Sequence, residues 1–355
     1  MAKRIRFSGP AKYCIRGTAI LLRCLTIVAL RRAQRGPLLP SWNFWVEAIT
    51  EIMQAQLKRA FFMPVVEARL YLDAVTLVSP VLRRVELTSV CTADVKGRWF
   101  VPNSIPAQAT MLYLHGGGYS FYPRDYANLI TDITLVSKCR TFALDYRLAP
   151  EFRFPAQLED ALRAYEWLLH EAAGQQIVLA GDSAGANLSL ALLQQVRERR
   201  MRMPAVVILL SPPAKFDLDA AKLNVDERFD WVQKWMLAHW ANWFCDAQQR
   251  TDPLVSPIYA DLRGLPPIYI QDGRVEILHQ TIEAFVNVAR QQGADVVLDS
   301  WDEMNHDFQF FGADAPQSQT ALKRIGEVVT SRLRHAATAA GERGVLAPAQ
   351  NQRPA

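Results

Sequence analysis

An apolar run, Ile177 to Ala180, leads directly into Gly181-Asp182-Ser183-Ala184-Gly185, and a helical stretch of Ala, Leu and Gln leaves that turn toward Arg199. Few arrangements allow a strand, a turn this tight and a helix in one unbroken segment. Glycine is needed at 181 and 185, where a Cβ would strike the neighbouring strand or helix. Gly-x-Ser-x-Gly in this setting lifts a serine hydroxyl above the end of a strand, on a strained turn. The helix that follows offers free backbone N–H groups to an anionic oxygen formed beside the serine. A Gly-rich turn without chemistry is the competing reading. The strand before the motif and the helix after it disfavour that reading.

The same alternation extends along the chain. Short apolar runs at 110–114, 140–144, 177–180, 205–210, 267–270 and 295–300 alternate with helical stretches near 125–137, 155–171, 184–199, 276–291 and 316–335. Two more strands, Val85–Cys91 and Val95–Val101, suggest an antiparallel pair. This pattern predicts an α/β fold: a mostly parallel central sheet of about eight strands, with helices on both faces. With 355 residues, half of them hydrophobic, the chain can bury a large core. Residues 81–335 form the expected core, with a helical insertion near 213–250. Trp231, Trp235, Trp240 and Trp243 lie in that insertion and serve equally as pocket lining or as packing. Residues 1–80 read as a basic arm followed by helix, and 336–355 as a disordered tail.

Charge is unevenly distributed. Residues 1–36 hold nine Lys or Arg and no acid, while the remainder carries 31 basic against 35 acidic groups. Basicity confined to an arm, with no basic face on the body, argues against nucleic acid as a partner. Within the arm, Gly17–Leu30 is apolar but interrupted by Arg23. It reads as too short for a membrane span and suits a helix resting on the body or on a membrane surface. The five cysteines are scattered, without metal-ligand spacing, and fit free thiols in a reducing compartment. The expectation is a cytoplasmic protein, with the arm open to association with a membrane. No metal or cofactor is expected, and a dimer is compatible with the sequence.

Ser183 needs a base, and the base an orienting acid. In a strand–elbow–helix architecture the chain order is serine, acid, histidine. His279, His306 and His335 follow both Ser183 and the candidate acids, and His306 lies in a loop after the last strand, where such sheets present reactive groups. Glu276 is the preferred acid, with Asp272 and Asp261 as alternatives. Such a carboxylate would raise the histidine pKa. His115-Gly116-Gly117-Gly118 ends a strand, and its glycines let the backbone approach an oxyanion. Gly116, Gly117 and Gly118, with the Ala184 N–H, are the candidate donors.

Six segments occur in order: His115–Gly118, Asp145-Tyr146-Arg147-Leu148-Ala149-Pro150-Glu151, Gly181–Gly185, Asp252-Pro253…Ser256-Pro257, Leu265-Pro266-Pro267…Gly273-x-x-Glu276, and Met304-x-His306-x-Phe308. Together they resemble the hormone-sensitive-lipase-like branch of the α/β-hydrolases over residues 80–335. The resemblance implies an α/β-hydrolase fold with a helical cap. It implies cofactor-free hydrolysis of carboxylic esters, of short to medium acyl length, through an acyl-enzyme. It assigns the nucleophile to Ser183, the acid to Glu276 and the base to His306. Many members carry Asp where this chain has Glu276. An amide or peptide hydrolase using the same triad, or a non-catalytic binding protein on the same fold, is the alternative.

Overall fold

The computed structural model describes residues 3–104 and 107–345. In chain order the elements are β1 (Arg4–Phe7), α1 (Ala11–Arg35), α2 (Phe44–Phe61), α3 (Val65–Leu72), β2 (Val75–Val78), β3 (Val85–Cys91), β4 (Lys96–Pro102), β5 (Ala109–Leu114), α4 (Tyr126–Ser137), β6 (Cys139–Leu144), α5 (Ala156–Glu171), β7 (Ile177–Asp182), α6 (Ser183–Glu198), β8 (Val206–Leu210), α7 (Lys234–Phe244), β9 (Ile268–Gly273), α8 (His279–Gln291), β10 (Val296–Trp301) and α9 (Pro316–Val345).

Eight strands form one sheet in the order β10-β9-β8-β7-β5-β6-β4-β3. The strands from β5 to β10 run parallel, and β4 joins them antiparallel between β6 and β3. Every residue of β5, β7, β8 and β9 is buried. Helices cover both faces, so these strands read as continuous apolar runs rather than alternating ones. The carboxyl ends of β7, β9 and β10 share one edge of the sheet, and the candidate groups collect there.

The first 80 residues depart from the helical reading. β1 pairs antiparallel with β2, from Arg4 opposite Val78 to Phe7 opposite Val75. Two four-residue strands some 70 positions apart leave no local signal of their pairing. α1 is 25 residues long, more than the apolar run suggested, and by length and composition could cross a membrane. Nor is the basic arm a separate appendage. Arg31 and Arg32 both pair with Glu47 of α2, which is fully buried and also accepts the Leu38 N–H at 2.9 Å. The reading of 336–355 as disordered is also corrected in part. α9 stays helical to Val345, and 346–355 lie outside the described residues.

α1, α2 and α3 sit over the sheet edge as one half of a cap, and α7 forms the other. Phe61 of α2 joins the two halves. It stacks on Trp243 at 5.2 Å and meets Trp235 and Trp240 edge-on, both at 5.1 Å. Arg69 of α3 latches the cap to the core. Its guanidinium donates to the Ser120 and Ala149 carbonyls and, as a two-pronged fork, to Glu151, every contact at 2.8 Å. Arg69→Ala is expected to cost about 2 kcal/mol by urea denaturation, since charged hydrogen bonds are lost and two carbonyls are left open. Arg69→Lys should recover little, because an ammonium cannot reproduce the fork. A change within 0.5 kcal/mol, in the range of surface substitutions, would show that the latch carries no stability.

Candidate active site

Ser183 occupies the junction of β7 and α6 with φ of 47°, a left-handed conformation uncommon for a residue with a side chain. The glycines on either side permit this. A Cβ at Gly181 would lie 2.6 Å from the Gly185 carbonyl carbon, and one at Gly185 would enter the Leu114 carbonyl. β5 runs alongside β7, with Leu114 opposite Gly181, so the elbow has no room to relax.

His306 Nε2 lies 2.9 Å from Ser183 Oγ. Glu276 Oε1 lies 3.7 Å from His306 Nδ1, an ion-pair distance too long for a hydrogen bond, and both atoms are otherwise unpartnered. The other Glu276 oxygen accepts from Ser211 Oγ at 2.6 Å and the Gly273 N–H at 2.9 Å. Glu276 precedes α8, which begins three residues later than the sequence suggested, so its side chain is directed by the turn at the end of β9. The alternative acids point elsewhere. Asp272 contacts His279 Nδ1 at 2.6 Å, and Asp261 pairs with Arg263 on the surface. His335 lies on the exposed side of α9.

The cap holds the His306 loop. The indole N–H of Trp42 donates to the Glu303 carbonyl, the Ser41 N–H to the Glu303 carboxylate at 2.8 Å, and Asn305 Nδ2 to Thr50 Oγ1 at 2.8 Å. Glu303 and Asp307 on either side of the histidine both have positive φ, 58° and 47°. Such strain persists only where surrounding contacts over-determine the backbone.

Gly116 cannot serve as an oxyanion donor as expected, because its N–H is taken by Asp182 Oδ1 at 3.0 Å. The same oxygen accepts from Tyr113 Oη at 2.7 Å, so the Asp of the serine motif anchors the glycine loop. Gly117 (φ 90°) and Gly118 line the cavity beside Ser183, and neither N–H finds an acceptor among the described residues. Ala184, in the first turn of α6, adds an N–H from a helix start. His115 plays no proton-transfer part. It is stacked between Tyr122 at 3.6 Å and Tyr146 at 4.1 Å, and burial holds its pKa down to about 3.

Sequence reasoning missed Asp307. Asp307 Oδ2 lies 3.2 Å from His306 Nε2, on the serine side of the ring. Burial, and then the Asp182 charge, push the Asp307 carboxyl well above the usual range, which keeps it from competing as a full charge for the imidazole. Trp240 Nε1 stands against Gly118, buried and unpartnered. Burial likewise pushes Glu276 up, with the Asp272 charge adding to it, and lowers the His306 pKa despite the nearby Asp230 and Asp182 charges. The expectation that a carboxylate would raise the histidine pKa fails here because desolvation outweighs it.

Two cavities meet at Ser183. One, about 160 Å³, runs beneath the N-terminal half of the cap and is lined by Leu21, Ile52, Met53, Leu57, Phe121 and Trp231. The other, about 90 Å³, lies beneath α7 against Phe216, Leu218, Leu237 and Trp240. Two of the four insertion tryptophans thus line cavities, while Trp235 and Trp243 pack on Phe61. Among the described residues there is no cluster of His, Cys, Asp and Glu able to hold a metal ion.

Comparison with known proteins agrees with this architecture. The alpha/beta hydrolase fold family matches residues 111–310. An acetyl-hydrolase of Streptomyces hygroscopicus is 34% identical over 66% of this chain and 78% of its own length. An esterase of Acinetobacter venetianus is 31% identical over 73% of this chain and 87% of its own. The crystal structure of an esterase from the bacterial hormone-sensitive lipase family superposes with a TM-score of 0.68 at 29% identity, covering 89% of this chain and 98% of that one.

Proposed function

For this chain, which belongs to the α/β-hydrolase family and is a carboxylic ester hydrolase of its hormone-sensitive-lipase group, we propose that Ser183, His306 and Glu276 act as nucleophile, base and orienting acid. The observation that carries this reading is the 2.9 Å approach of His306 Nε2 to Ser183 Oγ. His306 takes the hydroxyl proton as Ser183 Oγ bonds to the ester carbonyl carbon. The carbonyl oxygen becomes an oxyanion held by the N–H groups of Gly117, Gly118 and Ala184. The imidazolium gives its proton to the leaving alcohol oxygen, and the C–O bond breaks to leave the acyl-enzyme. Water gives a proton to the same histidine as it attacks that acyl group, and the imidazolium returns the proton to Ser183 Oγ as the acid is released. Glu276, as a carboxylate facing Nδ1, keeps the histidine proton on that nitrogen and stabilises the imidazolium as it forms.

The apolar cavities on either side of Ser183 support esters of short to medium acyl length. A panel of p-nitrophenyl esters, with and without a serine-directed phosphonate, tests this. Activity should peak at an intermediate chain length and vanish with the phosphonate bound on Ser183. Phosphonate-insensitive hydrolysis would reject the acyl-enzyme.

The pH profile follows from burial. The base must be neutral to accept a proton, and desolvation lowers the His306 pKa. The acidic limb of kcat/KM should therefore lie below the ordinary histidine value of about 6.5, extending activity to lower pH. A limb above about 7 would mean that the carboxylates around His306 outweigh burial.

A further inference from the structure

We propose that the outer face of α1 docks flat on an anionic lipid bilayer. The inner face of this helix buries Tyr13, Gly17, Cys24 and Val28 against the cap. A surface helix is ordinarily polar on its other side. Here Ile15, Leu22 and Leu30 stand 69%, 58% and 58% exposed, with Ala19, Thr26 and Ala29 exposed between them at helical spacing. Lys12, Arg16 and Arg23 form an exposed row along one edge of this stripe, as their helical spacing requires. The neighbouring ribbon repeats the combination: Ile5 and Phe7 are 47% and 57% exposed and alternate with exposed Arg4 and Arg6.

The ion pairs of this region use Lys3, Lys12, Arg31 and Arg32. Arg4, Arg6, Arg16 and Arg23 keep no carboxylate partner among the described residues. Exposed apolar side chains beside unneutralised arginines match an interface of acyl chains and anionic headgroups. A polyanion without an apolar phase would leave the stripe in water. A second copy would bring the same arginines face to face. A spanning helix would pull the buried face off the cap, break the Arg31 and Arg32 contacts to Glu47, and carry Arg23 into the hydrocarbon.

Docking and hydrolysis are separable, because none of Ile15, Arg16, Leu22, Arg23 and Leu30 lines the cavities at Ser183. The test is co-sedimentation of the full-length protein with phosphatidylcholine vesicles, with and without phosphatidylglycerol, at low and high salt. Binding should require phosphatidylglycerol and weaken in high salt. It should fall about fivefold for each of Arg16→Gln and Arg23→Gln. Leu22→Ser with Leu30→Ser should abolish it, while turnover of a soluble p-nitrophenyl ester stays unchanged in all these variants. Absence of binding, or equal binding to neutral vesicles, overturns the proposal. So does a dimer in light scattering that Ile15→Glu dissolves, since a second copy would then cover the face. Retention in the membrane fraction after alkaline carbonate extraction overturns it in favour of a spanning helix.

Discussion

Ser183→Ala is expected to lower kcat/KM for a p-nitrophenyl ester by roughly 10³-fold or more while leaving thermal unfolding close to that of the parent. The substitution removes one oxygen and keeps a Cβ, so it asks nothing new of a backbone already held at φ 47°. The hydroxyl touches only His306 Nε2 among the described residues, so no buried network collapses without it. What goes is the atom that must bond to the acyl carbon. The oxyanion donors remain, and residual turnover should reflect them alone. The check is paired: steady-state kinetics on protein cleared of contaminating esterase, and mass spectrometry after phosphonate treatment. The parent should gain one adduct on the Ser183 peptide and the variant none. Activity within tenfold of the parent would remove Ser183 from the mechanism.

The second large effect separates two acids four residues apart. Glu276→Gln should cost roughly 10³- to 10⁴-fold in kcat, and Asp272→Asn less than tenfold. An amide at 276 can keep one oxygen for Ser211 and Gly273 and then presents its NH₂ to His306 Nδ1. That arrangement favours the tautomer with its proton on Nε2, which faces Ser183 and can no longer accept. It also removes the charge that stabilises the imidazolium. Asp272, by contrast, contacts His279. Far-ultraviolet circular dichroism and the unfolding midpoint guard against a mere folding defect, and Glu276→Asp should retain part of the activity. The reverse ranking of the two neutral substitutions would make Asp272 the orienting acid and Glu276 a support for the turn.

The alternation of apolar runs and helical stretches announced the sheet, because strand and helix periods are written in residues a few positions apart. Gly181-x-Ser183-x-Gly185 announced the elbow for the same reason: crowding at the turn is set by its immediate neighbours. The loop position of His306 could also be read locally, since it lies between a strand and the next helix. By itself, then, the sequence determined the class of fold, the strained serine and the histidine that meets it. The sequence already preferred Glu276 to Asp272, but the direction of each carboxylate depended on the turn after β9, which sets Glu276 toward His306 and Asp272 toward His279. Gly116 and its neighbours are alike in sequence. Only Asp182, 66 positions away, takes the Gly116 N–H and leaves Gly117 and Gly118 free. The β1–β2 ribbon, the Arg69 latch and the grip of Trp42 on the His306 loop join segments 51 to 261 residues apart. Such pairings leave no periodic trace, because each is fixed by desolvation and shape in the assembled cap rather than by the preferences of either segment alone. The same holds for Asp307, whose place against His306 Nε2 was decided by a left-handed backbone turn that its neighbours in the chain do not signal.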